Sequence, residues 1–265
     1  MTRSWRPGGS SEAVMLELLD CSAGYGPTRV FETLSLSLEP GEIVAVVGRS
    51  GSGKTTLVHV AAALHAPAAG TVTLDGAPLS AGDHRIAFVQ QHYGLFPWYT
   101  VAANVELGLR LRGIPRGERA GRARRALAEV GLQAAADRFP AELSGGEQQR
   151  VALARTSALS PTVLLLDEPF SSLDAFTREA LQEELLQLQE AHERATLLVT
   201  HSLEEAVFLA DRIGIMYGRP ARLEIGTNPW QRPRRERSHA ARSTAAFAGA
   251  VAELRGEFEE RSREI

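Results

Sequence analysis

The sequence of 265 residues contains one cysteine, Cys21, which rules out an intramolecular disulfide framework and suits a reducing compartment. A lone thiol of this kind reads as a small buried residue rather than a reactive one. No apolar run approaches the ~20 residues needed to span a bilayer. The longest, near Leu57–Ala66, is interrupted by His59. The opening "MTRSWRPGGSSEA" lacks the apolar segment of a secretory signal, so residues 1–13 read as a disordered lead-in. Charge of either sign is not in excess: the formal net is −3, and nothing global argues for nucleic acid as a partner. Internal repeats and sustained heptads are also lacking. What is present is an ordinary globular composition, 44% hydrophobic and 23% charged, in a chain long enough for one large domain with a subdomain.

Short apolar runs alternate with helical patterns. "VMLELLD" and "RVFETLSLSL" read as early strands, and "GEIVAVVG" as a buried parallel strand ending at glycine. A helix is expected from Gly53 through Leu64, stopped near Pro67, then strands at "TVTLDG" and "IAFVQ". From about Thr100 to Phe139 the chain turns rich in Ala, Leu, Arg and Glu, which reads as a helical subdomain inserted in a sheet domain. "TVLLLDE", "ATLLVTH" and "RIGIMYG" are further strands, separated by helices that include Leu181, Leu185 and Leu188 on one face and Leu203–Ala210. The pattern predicts an α/β fold around a mainly parallel sheet. From Asn228 the tail is rich in proline and arginine and reads as irregular, a solvated charge run or a contact for acidic lipid. Phe247, Val251, Leu254 and Phe258 then form one stripe of a terminal helix, which either docks on the protein's own body or serves a regulatory or dimer contact.

Two motifs carry chemistry. "GRSGSGKTT", Gly48–Thr56, fits G-x-x-x-x-G-K-[ST] and lies between a predicted strand and a predicted helix. Gly48, Gly51 and Gly53 permit a tight loop whose N–H groups enclose phosphate oxygens. Lys54 is placed to reach the β- and γ-phosphates, and the Thr55 hydroxyl to ligate Mg²⁺. "VLLLDE", Val163–Glu168, ends a buried strand with two carboxylates. Asp167 suits holding Mg²⁺, and Glu168 suits orienting and polarising an attacking water. The pair specifies a nucleoside-triphosphate hydrolase, without saying what the hydrolysis drives. A third stretch, "AELSGGEQQRVALAR", places Ser144, Gly145 and Gly146 at a helix start, a second place suited to an anion.

Leu143 through Gln149 resembles the signature sequence of ATP-binding-cassette (ABC) ATPases, and the resemblance extends from Val14 to about Gly226. It implies a P-loop ATPase domain over residues 14–227, with a mainly parallel core sheet, an N-terminal antiparallel β subdomain, and a helical subdomain at about 98–158. Residues 228–265 form a C-terminal tail. Other family elements follow in order. Tyr25 resembles the aromatic that stacks on adenine. Gln91 resembles the Q-loop glutamine, which also contacts the metal, with the adjacent Gln90 as the alternative. Ser171-Ser172-Leu173-Asp174 resembles the D-loop, and His201 the switch histidine at the γ-phosphate. The resemblance thus implies ATP and Mg²⁺ held by Gly48, Arg49, Ser50, Gly51, Ser52, Gly53, Lys54, Thr55 and Thr56.

In such proteins two chains pair head to tail, and Ser144, Gly145, Gly146 and Asp174 of one complete the nucleotide site of the other. The resemblance further implies a separate ATPase subunit at the cytoplasmic face of the cell membrane, peripheral, driving a permease and, indirectly, a substrate-binding protein. "HYGLFPWYTVAANVELGLRLRG" is similar to the subgroup for nitrate, sulfonate, taurine and pyrimidine-precursor uptake, with Phe96 where that subgroup often has leucine. Phe96, Trp98 and Tyr99 are anchors of the kind found at interfaces, or pack within the subdomain. The alternative is a non-transport ABC ATPase serving cofactor assembly or nucleic acid. A P-loop kinase or G-protein-like switch predicts neither the signature nor the histidine.

Overall fold

The computed structural model describes residues 15–91 and 93–263; the expected lead-in over residues 1–13 lies outside them. Strands β1 (Leu16–Tyr25) and β2 (Thr28–Leu38) come first, followed by β3 (Ile43–Gly48) and helix α1 (Lys54–Ala61). Strands β4 (Ala69–Leu74), β5 (Ala77–Pro78) and β6 (Ile86–Val89) lead into helices α2 (Val101–Leu111), α3 (Arg116–Glu129) and α4 (Gly145–Ser157). The second half runs β7 (Val163–Asp167), α5 (Ala175–His192), β8 (Ala195–Thr200), α6 (Leu203–Leu209), β9 (Arg212–Gly218) and β10 (Ala221–Thr227). It closes with α7 (His239–Arg242) and α8 (Ala245–Ser262).

The strands join in one sheet, in the order β5-β4-β1-β2-β10-β9-β3-β8-β7-β6. β3 pairs in parallel with β8 and β9, and β7 with β8 and β6, whereas β1 pairs antiparallel with β2 and β4. The expected parallel core and antiparallel N-terminal part are thus both present in a single sheet. The link between them is β10, which pairs antiparallel with β9 and touches β2 at Ala221 and Phe31. Its sequence, "ARLEIGT", alternates weakly, and the strand is not predicted above.

Alternation along β3 divides the core. Val44 and Val46 face α1, with Leu57, Val58, Leu165 and Leu197. Ile43, Ala45 and Val47 face the opposite side, with Leu153, Leu181, Leu185, Phe208 and Phe247. Each fully buried Val, Leu, Ile or Phe side chain among these contributes on the order of 1.5–3 kcal/mol by leaving water. All of β3 is buried, as a strand covered on both faces must be. Cys21 lies buried in the first layer. Val101, Val105, Leu109, Leu127 and Val151 form a separate core among α2, α3 and α4.

The tail meets one expectation and departs from another. Phe247, Val251 and Leu254 are buried against the body, with the Trp230 and Phe247 rings 4.9 Å apart, so the terminal stripe docks on its own chain. The arginines are not a solvated run. Arg237 is buried, and its guanidinium donates to the carbonyls of Phe208, Leu209 and Ala210 at 3.3, 2.8 and 3.0 Å. Arg234 and Arg237 both pair with Asp211. The physical reason is the C-terminus of α6, whose last carbonyls have no helical partner and carry partial negative charge. Asn228 Nδ2 adds donors to Val207 and Ala210 at 2.8 and 2.6 Å.

Candidate functional site

The ends of β3, β7 and β8 point the same way in the parallel core, and the loops that leave them meet. β3 ends at Gly48, and α1 starts at Lys54 after a left-handed Gly53 with φ of 99°. A Cβ on Gly53 would lie 2.5 Å from Val30 Cγ1, so both conformation and space require glycine. Between them, Arg49, Ser50 and Gly51 are exposed at the turn, and Ser52 is half-buried with its hydroxyl lacking a hydrogen-bond partner. No side chain caps α1, so its first N–H groups face the loop's mouth.

Lys54 is buried and donates to the Gly48 and Arg49 carbonyls at 2.8 and 3.2 Å. Its ammonium lies 3.4 Å from Glu168 Oε1, and Glu168 Oε2 lies 3.1 Å from His201 Nδ1. Lys54 thus meets Glu168 and, through it, His201, both more than a hundred positions further along the chain. Glu168 sits just past β7 with φ of 45°, a left-handed conformation unusual for a glutamate. It is held there because its N–H donates to Val199 O at 2.9 Å and its carbonyl accepts from Ser171 Oγ at 2.9 Å. Strain of this kind persists only where the surroundings impose it, and it is concentrated at functional sites.

Asp167, buried at the end of β7, receives a hydrogen bond from the Thr55 hydroxyl. Burial pushes its carboxyl above the ordinary value, against the pull of Thr55 and Lys54. Thr55 and Asp167 supply hard oxygen donors in the small number that Mg²⁺ takes from protein when phosphates and waters complete its shell, and the donor set fits that ion. Thr56 is buried under the loop.

Tyr25 is 53% exposed at the end of β1, with its ring 4.7 Å from that of His65, whose Nε2 meets Gly24 O at 3.1 Å. An exposed ring braced on one side leaves a face for stacking. Gln90 and Gln91 are both exposed just past β6, where Tyr93 N donates to Gln90 O at 2.9 Å. The tyrosine hydroxyl meets Ser172 Oγ at 2.7 Å, joining this turn to the Ser171–Asp174 turn. Arg155, at the end of α4, donates to the Tyr93 and Gly94 carbonyls at 2.6 Å each. Asp174 caps α5 by accepting from Thr177 N at 3.0 Å.

The Ser144–Gly146 stretch opens α4. Ser144 caps α4 by accepting from Glu147 N at 3.3 Å, and Glu147 accepts from Ser144 N at 2.8 Å. Gly145 and Gly146 lie against Leu173 and Thr177, outside the phosphate loop. Phe96, Trp98 and Tyr99 form a further cluster, with ring centroids 5.5 and 5.9 Å from Phe96 and Trp98 itself 67% exposed. Sequence reasoning misses Asn104, which is buried and binds this loop through the Phe96 N–H and the carbonyls of Phe96, Tyr99 and Thr100. Its only signal is a polar residue on the apolar stripe of α2.

The family model described as ABC transporter matches residues 31–171. The taurine import ATP-binding protein TauB of Pseudomonas entomophila is 46% identical over 211 residues, covering 79% of this chain and 82% of that protein. The aliphatic sulfonates import ATP-binding protein SsuB 1 of Xanthomonas axonopodis pv. citri is 44% identical over 233 residues, 85% of this chain and 90% of the relative. The nitrate import ATP-binding protein NrtD of Synechocystis sp. is 43% identical, with 79% and 80% covered. Among solved structures, CbiO1 from Clostridium perfringens, part of the ABC transporter complex CbiONQ, superposes with a TM-score of 0.74 at 25% identity, covering 82% of this chain and 89% of that one. No helix among the described residues is long and apolar enough to cross a membrane. The chain belongs to the ABC transporter family, as one of its ATP-binding, ATP-hydrolysing proteins.

Proposed function

We propose that this chain is the ATPase subunit of an importer, peripheral at the cytoplasmic face of the membrane, which closes head to tail with a second copy around two ATP molecules. The observation that carries the reading is the convergence of Lys54, Glu168 and His201 at the mouth of the phosphate loop, while Gly145 and Gly146 pack against Leu173 and Thr177.

Lys54, now resting on its own loop's carbonyls, meets the β- and γ-phosphates, joined by the N–H groups of Gly48 through Thr56 and the Ser52 hydroxyl. Thr55 and Asp167 would hold Mg²⁺, with Gln91 as a further oxygen donor, and the bound ion would supply neutralisation of phosphate charge. Glu168 orients water for attack, and His201, in reach of Glu168, holds the γ-phosphate edge. Tyr25 stacks on adenine. Ser144, Gly145, Gly146 and Asp174 of the second copy complete the site, so that ATP becomes part of the interface and hydrolysis loosens it.

The Phe96–Trp98–Tyr99 cluster receives a cytoplasmic segment of a permease, since exposed aromatics held on a rigid loop are interface anchors. The permease and its binding protein set the cargo. The relatives' names assign them taurine, aliphatic sulfonates and nitrate, and a small solute of this oxyanion class is proposed here.

The test is Glu168→Gln with ATP. Turnover is expected to fall by about 10²–10⁴-fold, the usual loss for a positioned base, and a stable ATP-dependent dimer should appear by light scattering. Normal turnover in that variant would overturn the assignment of Glu168. Co-purification with a permease that is lost on Trp98→Ala tests the transport reading; retention of the complex would remove the aromatic cluster from it.

A further inference from the structure

The assignments above leave one buried carboxylate unused. Glu205, on the first turn of α6, is 5% exposed. It accepts a hydrogen bond from Thr200 Oγ1 at 2.6 Å, and its N–H donates to Ser202 Oγ at 3.2 Å. Thr200 Oγ1 in turn accepts from Ser202 N at 3.1 Å. The residues on both sides of His201 are therefore tied to Glu205, whereas the His201 side chain stands clear towards Glu168.

The same carboxylate faces α5. Arg178 Nε lies 3.8 Å from Glu205 Oε1, within ion-pair range but beyond a hydrogen bond, and this buried Nε has no other partner. The other end of the guanidinium donates to Leu173 O at 2.7 Å, inside the Ser171–Asp174 turn. From the tail, Arg242 adds a second positive charge near Glu205, lies over the Phe208 ring at 3.4 Å, and donates to Gln182 on α5. Burial pushes the Glu205 carboxyl up, and Thr200 and the two guanidiniums oppose that shift. A buried carboxylate with its cation just short of full contact is costly unless the contact closes. A small approach of α5 to α6 would close it.

We propose that Glu205 and Arg178 are positioning residues for hydrolysis, Glu205 setting the loop that carries His201 and Arg178 tying that loop to the Leu173 carbonyl of the turn before Asp174. The link makes placement of the histidine depend on placement of the turn that the second copy is to meet. It rests on the roles given above to His201 and to the Ser171–Asp174 turn.

Steady-state ATP hydrolysis by the full chain tests it. Glu205→Gln keeps an acceptor for Thr200 and removes the charge; Arg178→Met removes the cation from a side chain that is partly exposed, where folding is least at risk. Each is expected to lower kcat by about tenfold while leaving KM for ATP within about twofold, because the groups that bind nucleotide are untouched. The double variant is expected to lose no more than either single one, since one link can be broken only once. Losses that multiply, or wild-type kcat in both single variants, would overturn the proposal. A parallel His201→Ala variant separates the two levels. If it retains full turnover, the reading of the site itself fails. If it loses turnover while Glu205→Gln and Arg178→Met retain theirs, only the positioning link fails.

Discussion

Helices α1 and α4 both begin on small residues after a loop, and both starts look suited to an anion, yet they are built differently. α1 follows a left-handed Gly53 with no side-chain cap, and the ammonium of its own first residue rests on the Gly48 and Arg49 carbonyls of the loop. α4 follows Ser144 with both halves of a capping box made, so two of its donors are taken by Ser144 and Glu147. The carboxylate of Glu147 adds negative charge at that helix start, balanced in part by Arg138 at 3.5 Å. An open start with a cation is a site for phosphate in a single chain. At α4 the cap takes the Ser144 and Glu147 N–H groups and leaves those of Gly145 and Gly146 beside an anion, which suits a contact made only when a second copy brings the nucleotide.

The largest expected effect comes from separating the two helix starts by mutation. Lys54→Ala is expected to weaken ATP binding to the single chain by more than about tenfold, since a buried charge-assisted contact is lost. Ser144→Arg is expected to leave that binding within about twofold while abolishing closure and with it most turnover, as blocking one face of a shared site does. Nucleotide titration by fluorescence and steady-state phosphate release measure the two. Equal loss of single-chain binding in both variants would erase the distinction and make Ser144 part of its own chain's site.

Legibility of the sequence follows the same division. The phosphate loop and the Asp167-Glu168 pair are readable because a few adjacent residues must supply a fixed backbone path between a buried strand and a helix. β3, β7 and β8 are readable because a strand buried on both faces is nearly all apolar, with Asp167, Thr196 and Thr200 the exceptions. What the pattern does not carry is anything that depends on distant partners. β10 is placed by the open edges of β9 and β2, not by its own residues. Arg237 looks like a surface charge until the α6 carbonyls appear beside it. Glu205 and Arg178 are ordinary charged helix residues in the sequence, and only the packing of α6 on α5 buries one against the other.

A smaller effect is expected at Gly146, where α4 lies against α5. A Cβ there would lie 2.5 Å from Thr177 Cγ2. Gly146→Ala should destabilise the chain by about 1–3 kcal/mol through overpacking, seen in urea unfolding, and Thr177→Ser in the same chain should restore part of it by removing the methyl group. If Thr177→Ser restores nothing, the closeness of α4 to α5 is not what requires glycine.

The smallest effect sharpens the contrast of the caps. Glu147 is held below its ordinary pKa first by the Ser144 N–H, with Ser144's side chain and Arg138 assisting. A lowered carboxyl adds stability that is present above the unfolded glutamate's pKa and is lost as pH falls through the folded value. Glu147→Gln should therefore cost about 0.5–1 kcal/mol near neutral pH, the scale of a helix cap on a partly exposed residue. The difference from the unsubstituted chain should shrink as pH is lowered through the carboxylate range, because protonated glutamate and glutamine then offer Ser144 much the same acceptor. Chemical denaturation at several pH values measures this. A cost that stays constant down to the acid limit would show that the side chain's shape, not its charge, closes the start of α4. The electrostatic contrast between the two helix starts would then rest on Lys54 alone.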